Sequence, residues 1–180
     1  MSNFDFLKGF NHELYDIGVK LEDDVLGSPR AVTADATLFL ETLVKDIYRL
    51  SNKKLENHLV SFYKKIDNLH RQGVISYIFK NKLRDAYNLR NKIHKNYKNA
   101  KEEMRIALDL HKRLYYISKK YFMDFCDGEK SVDIPDYKKP QHTEIHFKDC
   151  IICGSHNEDP RSNFCYDCNS KIEDVNLLLS

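Results

Sequence analysis

From Phe4 to Phe125 apolar residues return at three- and four-residue steps, and no strand-like alternation interrupts them. That period turns one stripe of a helix toward a core, and a pleated strand, with its period of two, cannot satisfy it. Phe4 to Leu7 opens a first segment, continued by Leu14, Ile17, Gly18, Leu21 and Val25 and broken at Gly27-Ser28-Pro29. Ser28 is predicted to cap a second helix with Pro29 at its first position. That helix reaches about Leu50, with Val32, Ala36, Phe39, Leu40, Leu43, Val44 and Ile47 on one face. After the turn at Ser51-Asn52-Lys53-Lys54, a third helix holds Leu59, Phe62, Tyr63, Ile66 and Leu69 and ends at Gly73. Ser76 is predicted to cap a fourth, with Tyr77, Ile78, Leu83, Ala86, Leu89, Arg90 and Ile93. Beyond a break near Asn96-Tyr97, a fifth takes Met104, Ala107, Leu108, His111, Leu114, Tyr115 and Ile117 to about Phe125. The expected fold class is all-α, an antiparallel bundle of about five helices over residues 1–126.

Only 6 Gly and 4 Pro in 180 residues argue against a β-sandwich, a collagen-like chain or a disordered tail. No apolar run is long enough to span a bilayer, so no membrane association is expected. The start, Met1-Ser2-Asn3-Phe4-Asp5, lacks a basic region and an apolar core, which predicts a cytoplasmic protein. Residues 127–148, polar and bearing Pro135 and Pro140, read as a linker to a second domain at 149–180.

That second domain is defined by Cys150-Ile-Ile-Cys153 and Cys165-Tyr-Asp-Cys168. Two CxxC pairs at this distance suit a tetrahedral zinc ion, each pair forming a knuckle around the metal. Four thiolates close the coordination shell and leave no place for a catalytic water, so the predicted Zn2+ is structural. Disulfides fit poorly with a chain lacking a signal sequence, and a lone redox CxxC needs no twin. The stretch CIICGSHNEDPRSNFCYDC resembles small bacterial zinc ribbons, a likeness specific for metal but not for a task. His142, His146 and His156 read as surface residues, and Cys126, in an apolar stretch, as a buried thiol.

The formal net charge of +2 conceals an uneven distribution. Residues 53–120 hold 18 Lys+Arg against 6 Asp+Glu, whereas residues 1–52 hold 5 against 9 and residues 121–180 hold 6 against 12. A basic middle of this kind suits a polyanion, because cations that neutralise phosphates release counterions. A solvated helical surface balanced by acidic neighbours is the other reading. Tyr63, His70, Tyr77, Tyr87, His94, Tyr97 and His111 interleave the cations, and the candidate nucleic-acid contacts are Lys80, Lys82, Arg84, Arg90, Lys92, Lys95 and Lys98. Neither a major-groove recognition helix nor an aromatic platform for RNA is evident.

Two stretches carry a resemblance. One is Ser2-Asn3-Phe4-Asp5-Phe6-Leu7 with Leu14-Tyr15, Ser28-Pro29 and Leu40-Glu41. The other is Gly73-Val74-Ile75 followed by Leu89-Arg90-Asn91-Lys92-Ile93-His94. Together, over residues 2–125, they are similar to the helical domain of unknown function at the N-terminus of many type I restriction endonuclease motor subunits, and more broadly to the HEPN superfamily. The resemblance implies a homodimer paired through the motif-bearing helices. In active members it implies a metal-independent ribonuclease, with an Arg and a His promoting attack of a ribose 2′-hydroxyl on the adjacent phosphate. Here Arg90 and His94 stand at i and i+4 on a helix, with Asn91 beside them. Counted from Asn91, the family's His position falls on Lys95. Lysine, protonated near neutral pH, is a poor proton acceptor. Glu41 matches an acidic position of the family and is a possible orienting partner for Arg90. The same residues can equally satisfy backbone carbonyls at a helix end.

Two functions follow as expectations. The first is a non-catalytic module, related to phage defence, restriction or mobile-element proteins, that binds nucleic acid or a protein partner. The second is a homodimeric HEPN ribonuclease using Arg90 and His94.

Overall fold

The computed structural model describes residues 2–53, 60–95, 100–126 and 134–140. The chain divides between Pro140 and Gln141, and the described residues all belong to the unit before the break. They are all-helical: a 3-10 turn at Asp5–Leu7, then α1 (His12–Gly27), α2 (Ala31–Leu50), α3 (Phe62–Arg71), α4 (Tyr77–Lys95) and α5 (Ala100–Phe125). No strand occurs among the described residues. None of their helices is long and apolar enough to cross a membrane.

Helix α2 is central: it packs on α1, α3, α4 and α5, while α1 and α4 each lie along α5. It can do so because its apolar stripe is wide. Val32, Ala36, Phe39, Leu40, Leu43, Val44, Ile47 and Tyr48 are all buried. Each large apolar side chain fully buried contributes about 1.5–3 kcal/mol relative to exposure. The predicted helical boundaries hold at Leu50 and Phe125, and Ser76 Oγ accepts the Phe79 N–H at 3.1 Å as the predicted cap. Asn52, in the turn after α2, takes a positive φ of 53°.

Two boundaries differ from the sequence reading. Phe4 to Leu7 forms a separate short turn, and α1 begins at His12, where Asn11 Oδ1 accepts the Leu14 N–H at 3.0 Å. Ser28 does not cap α2. Its N–H closes α1 on the Asp24 carbonyl, its own carbonyl takes the Ala31 N–H at 2.8 Å, and α2 starts without a side-chain cap.

The short opening turn plugs the bundle. The Phe4 ring is fully buried, 5.4 Å from both Phe39 and His111, and lies so close to Gly18 that a Cβ there would meet Phe4 Cγ at 2.5 Å. Glu22 of α1 fastens this segment, accepting from the Asn3 N–H at 3.0 Å and from the side chains of Ser2 and Asn3. Residues 134–140, within the stretch read as a linker, lie against the same end of the bundle. Ile134 and Tyr137 pack on the core. Lys138 N–H donates to Asn3 Oδ1 at 2.8 Å, Asn3 Nδ2 returns a bond to the Lys138 carbonyl at 2.8 Å, and the Tyr115 hydroxyl donates to the Pro135 carbonyl.

His111, read from the sequence partly as an aromatic among surface cations, is instead fully buried. Its Nδ1 meets the Tyr137 hydroxyl at 3.0 Å, and its Nε2 has no hydrogen-bond partner, the nearest carboxylate oxygen being Glu22 Oε1 at 3.7 Å. Burial disfavours the imidazolium and holds the His111 pKa down to about 4. The same burial pushes the Tyr137 hydroxyl up to about 12. Further along α2, Asp46, buried, accepts from Arg49 at 2.6 Å, from Asn11 Nδ2 at 3.0 Å and from the Tyr121 hydroxyl. Cys126 is buried, as expected.

Candidate nucleic-acid interface

Helices α3 and α4 form a hairpin in which nine Lys and Arg face two Asp over residues 62–95. Its turn is set by Gly73, whose φ of 71° suits a residue without a Cβ. The Gly73 and Val74 N–H groups bond the His70 and Leu69 carbonyls, both at 3.0 Å. His70 Nδ1 lies 3.1 Å from the Ile75 carbonyl; a carbonyl can only accept, so this ring nitrogen carries the proton. At the other end Phe62 stacks on Tyr87 with centroids 4.3 Å apart, and the Tyr63 hydroxyl donates to Asn88 Oδ1 at 2.6 Å. The hairpin is therefore pinned at both ends by contacts between its own helices.

Along α3 the Lys64, Lys65, Asp67, His70 and Arg71 side chains, joined by Lys80 of α4, line an open cleft of about 650 Å³. Two of its cations are engaged. Lys65 Nζ bonds Glu41 of α2 at 2.6 Å, and Lys80 Nζ lies 3.3 Å from Asp67. Arg84 reaches the same Asp67 oxygen at 3.8 Å and lies over the Tyr63 ring, 5.6 Å from its centroid. Lys64 and Arg71 are exposed and make no ion pair among the described residues, and the same holds for Lys82 and Lys92. A cleft with one carboxylate and several cations, two of them uncommitted, is an anion-receiving surface.

The motif around Arg90 looks different. Its guanidinium lies over the Tyr87 ring, 4.2 Å from the centroid, and its Nε is buried without a hydrogen-bond partner. Glu41, the expected partner of Arg90, is taken by Lys65. Asn91 and Lys92 line a second shallow cleft of about 610 Å³ with Asp85, Asn88 and Arg113, the last held by Asp109 at 3.1 Å. The side chains of His94 and Lys95, like Lys98 entirely, lie outside the described residues. So do Cys150, Cys153, Cys165 and Cys168. Among the described residues no group of His, Cys, Asp or Glu could hold a metal ion.

Of the candidate contacts, the hairpin thus brings Lys80 and Arg84 together on Asp67, leaves Lys82 and Lys92 without an ion pair among the described residues, and folds Arg90 onto Tyr87. Lys64, Arg71 and His70 were not among those candidates. The spacing Lys64, Asp67, Arg71 at i, i+3 and i+7 places them on one helical face and was the available signal. Comparison of the chain with protein-family models, with curated proteins and with solved structures finds no match.

Proposed function

We propose that the helical unit is a nucleic-acid-binding module without catalytic activity, whose contact surface is the α3–α4 hairpin. The observation that carries this reading is the cleft in which Lys64 and Arg71 stand exposed, with no ion pair among the described residues, beside Lys65 and Lys80. The HEPN-like resemblance of residues 2–125 supports it, as does the commitment of Arg90 to the Tyr87 ring, which argues against a freely disposed catalytic guanidinium. Residues 149–180 add a zinc ribbon in which Cys150, Cys153, Cys165 and Cys168 hold a structural Zn2+ by four thiolates. The module acts in the setting of phage defence, restriction or mobile elements, as a homodimer.

The test is titration of the full chain, prepared with zinc, against a labelled RNA hairpin, read on native and denaturing gels at rising salt. Shifted, intact RNA is expected. With four uncommitted cations on the hairpin, log K should fall against log salt with a slope of about −3 for single-stranded nucleic acid. Absence of a shift at low ionic strength would mean that the basic surface is only solvated. Cut RNA, with cutting abolished by Arg90→Ala and His94→Ala in folded protein, would replace this reading with the HEPN ribonuclease.

A further inference from the structure

Beside the cleft, at the start of α4, the Tyr77 ring is 61 % exposed and the adjacent Ile78 side chain 70 % exposed. These are the two most exposed apolar positions of the hairpin, and neither contributes to its core. The Tyr77 ring has cleft residues for neighbours: the His70 ring lies 5.9 Å away, tilted by 55°, and Lys80 Nζ lies over the Tyr77 ring, 5.1 Å from its centroid, so a base would stack on the side away from the ammonium. His70 is itself fixed by its bond to the Ile75 carbonyl, and Lys80 by Asp67, so the ring's surroundings are held in place. A wet aromatic face held beside a concave cluster of cations is the arrangement that single-stranded nucleic acids use. The phosphates follow the positive groove, and an unpaired base stacks on the ring. A duplex presents no free base face to such a ring.

We infer that the ligand of this surface is single-stranded nucleic acid, with a base stacked on Tyr77 and the neighbouring phosphate held in the cleft by Lys64, Arg71 and Lys80. This rests on the nucleic-acid reading above and sharpens it, supplying the aromatic platform that was not evident from sequence. Tyr77 contributes stacking, and the cations contribute the charge that any polyanion would feel. The two contributions are therefore separable by experiment.

The experiment uses the full chain and fluorescence polarisation with a labelled oligouridylate of about a dozen nucleotides, and with a blunt duplex of the same length. The single strand is expected to bind more tightly. Tyr77→Ala should weaken it about tenfold, the loss that removal of one base–aromatic stack produces, while duplex affinity and the salt slope stay unchanged. Tyr77→Phe should restore the affinity, since the ring and not the hydroxyl does the stacking. Circular dichroism melting checks that Tyr77→Ala is folded, as its exposure leads one to expect. Equal affinity for single strand and duplex, or indifference to Tyr77→Ala, would overturn the inference and leave the nucleic-acid reading standing. Polyglutamate competing as well as oligouridylate per charge would also overturn it, pointing to an acidic protein segment. Binding of neither oligonucleotide at low salt would remove both readings together.

Discussion

The two sides of the helical unit use charge in opposite ways. Around α1, α2 and α5 the charged groups taken out of water are carboxylates. Asp35, Asp46 and Glu103 are each less than 8 % exposed and are met by Lys20, Arg49 and Arg30, while Glu22 holds the opening turn. In the α3–α4 hairpin the carboxylates are few and the cations outnumber them, with Lys64, Arg71, Lys82 and Lys92 in water and without an ion pair among the described residues. Buried carboxylates with several donors fix a geometry, because each donor left unpaired on their removal costs free energy. Exposed cations add little to stability and stay available to a partner. On the proposed reading, the difference separates the part of the molecule that holds the fold from the part offered to a ligand.

That separation can be broken at either side. The largest effect is expected at Asp46: Asp46→Ala strands the Tyr121 hydroxyl and the Asn11 amide, and should cost roughly 3 kcal/mol in chemical denaturation. Gly18→Ala comes next. A helix-interior Gly→Ala change ordinarily gains up to about 1 kcal/mol. Here the new methyl group meets Phe4, and a net loss of about 1–2 kcal/mol is expected. A gain in stability would show that the opening turn does not seat as described.

The third is a dependence on pH. His111 is folded with a pKa of about 4, below its ordinary 6.5, so the unfolded chain binds the extra proton more readily. Stability should therefore be full near pH 7 and fall on acidification between about pH 6.5 and 4, by about 2 kcal/mol at pH 5. Among the described residues, the ring is faced by Glu22 at 3.7 Å and by the Tyr137 hydroxyl on its other nitrogen. Thermal melts from pH 7 to 5, wild type against His111→Gln, should show the slope flattened in the variant.

The smallest effect on stability, and the sharpest on binding, is expected in the hairpin. Lys64→Ala and Arg71→Ala should each leave stability within about 0.5 kcal/mol and lower the salt slope of nucleic-acid binding by about 1. Stability losses larger than those at Gly18 would place these cations with the fold-holding half.

Much of the scaffold was legible in the sequence because it depends on local spacing. The helix ends at Leu50 and Phe125, the Ser76 cap, the Gly73 turn and the buried Cys126 all follow from residues a few positions apart. What was not legible depends on distant partners. The sequence placed His111 both in the apolar series of α5 and among the basic aromatics, and what decides for burial is Phe4 and Tyr137, from both flanks of the chain, closing over it. Residues 134–140 read as a linker because their anchors include backbone carbonyls at Ile134, Pro135 and Lys138, which no side-chain pattern announces. In the site, the cations were visible as composition, but which of them Asp67 and Glu41 would occupy was not. Tyr77 and Ile78 were read among the apolar residues of the fourth helix, yet the structure leaves both largely in water. The significance of Tyr77 comes from being left outside a core that its neighbour Phe79 enters.

The reciprocal bonds between Asn3 and Lys138 span 135 positions of sequence. During synthesis, which runs from the N-terminus, the opening turn therefore emerges long before the segment that completes its seat. Until then the His111 ring lacks the Tyr137 hydroxyl and the Tyr115 hydroxyl lacks the Pro135 carbonyl. The final closure of the bundle thus joins segments from opposite ends of the helical unit. A chain stopped at Cys126 should remain helical but pack loosely at this end, whereas one stopped at Pro140 should reach the full cooperativity of the unit.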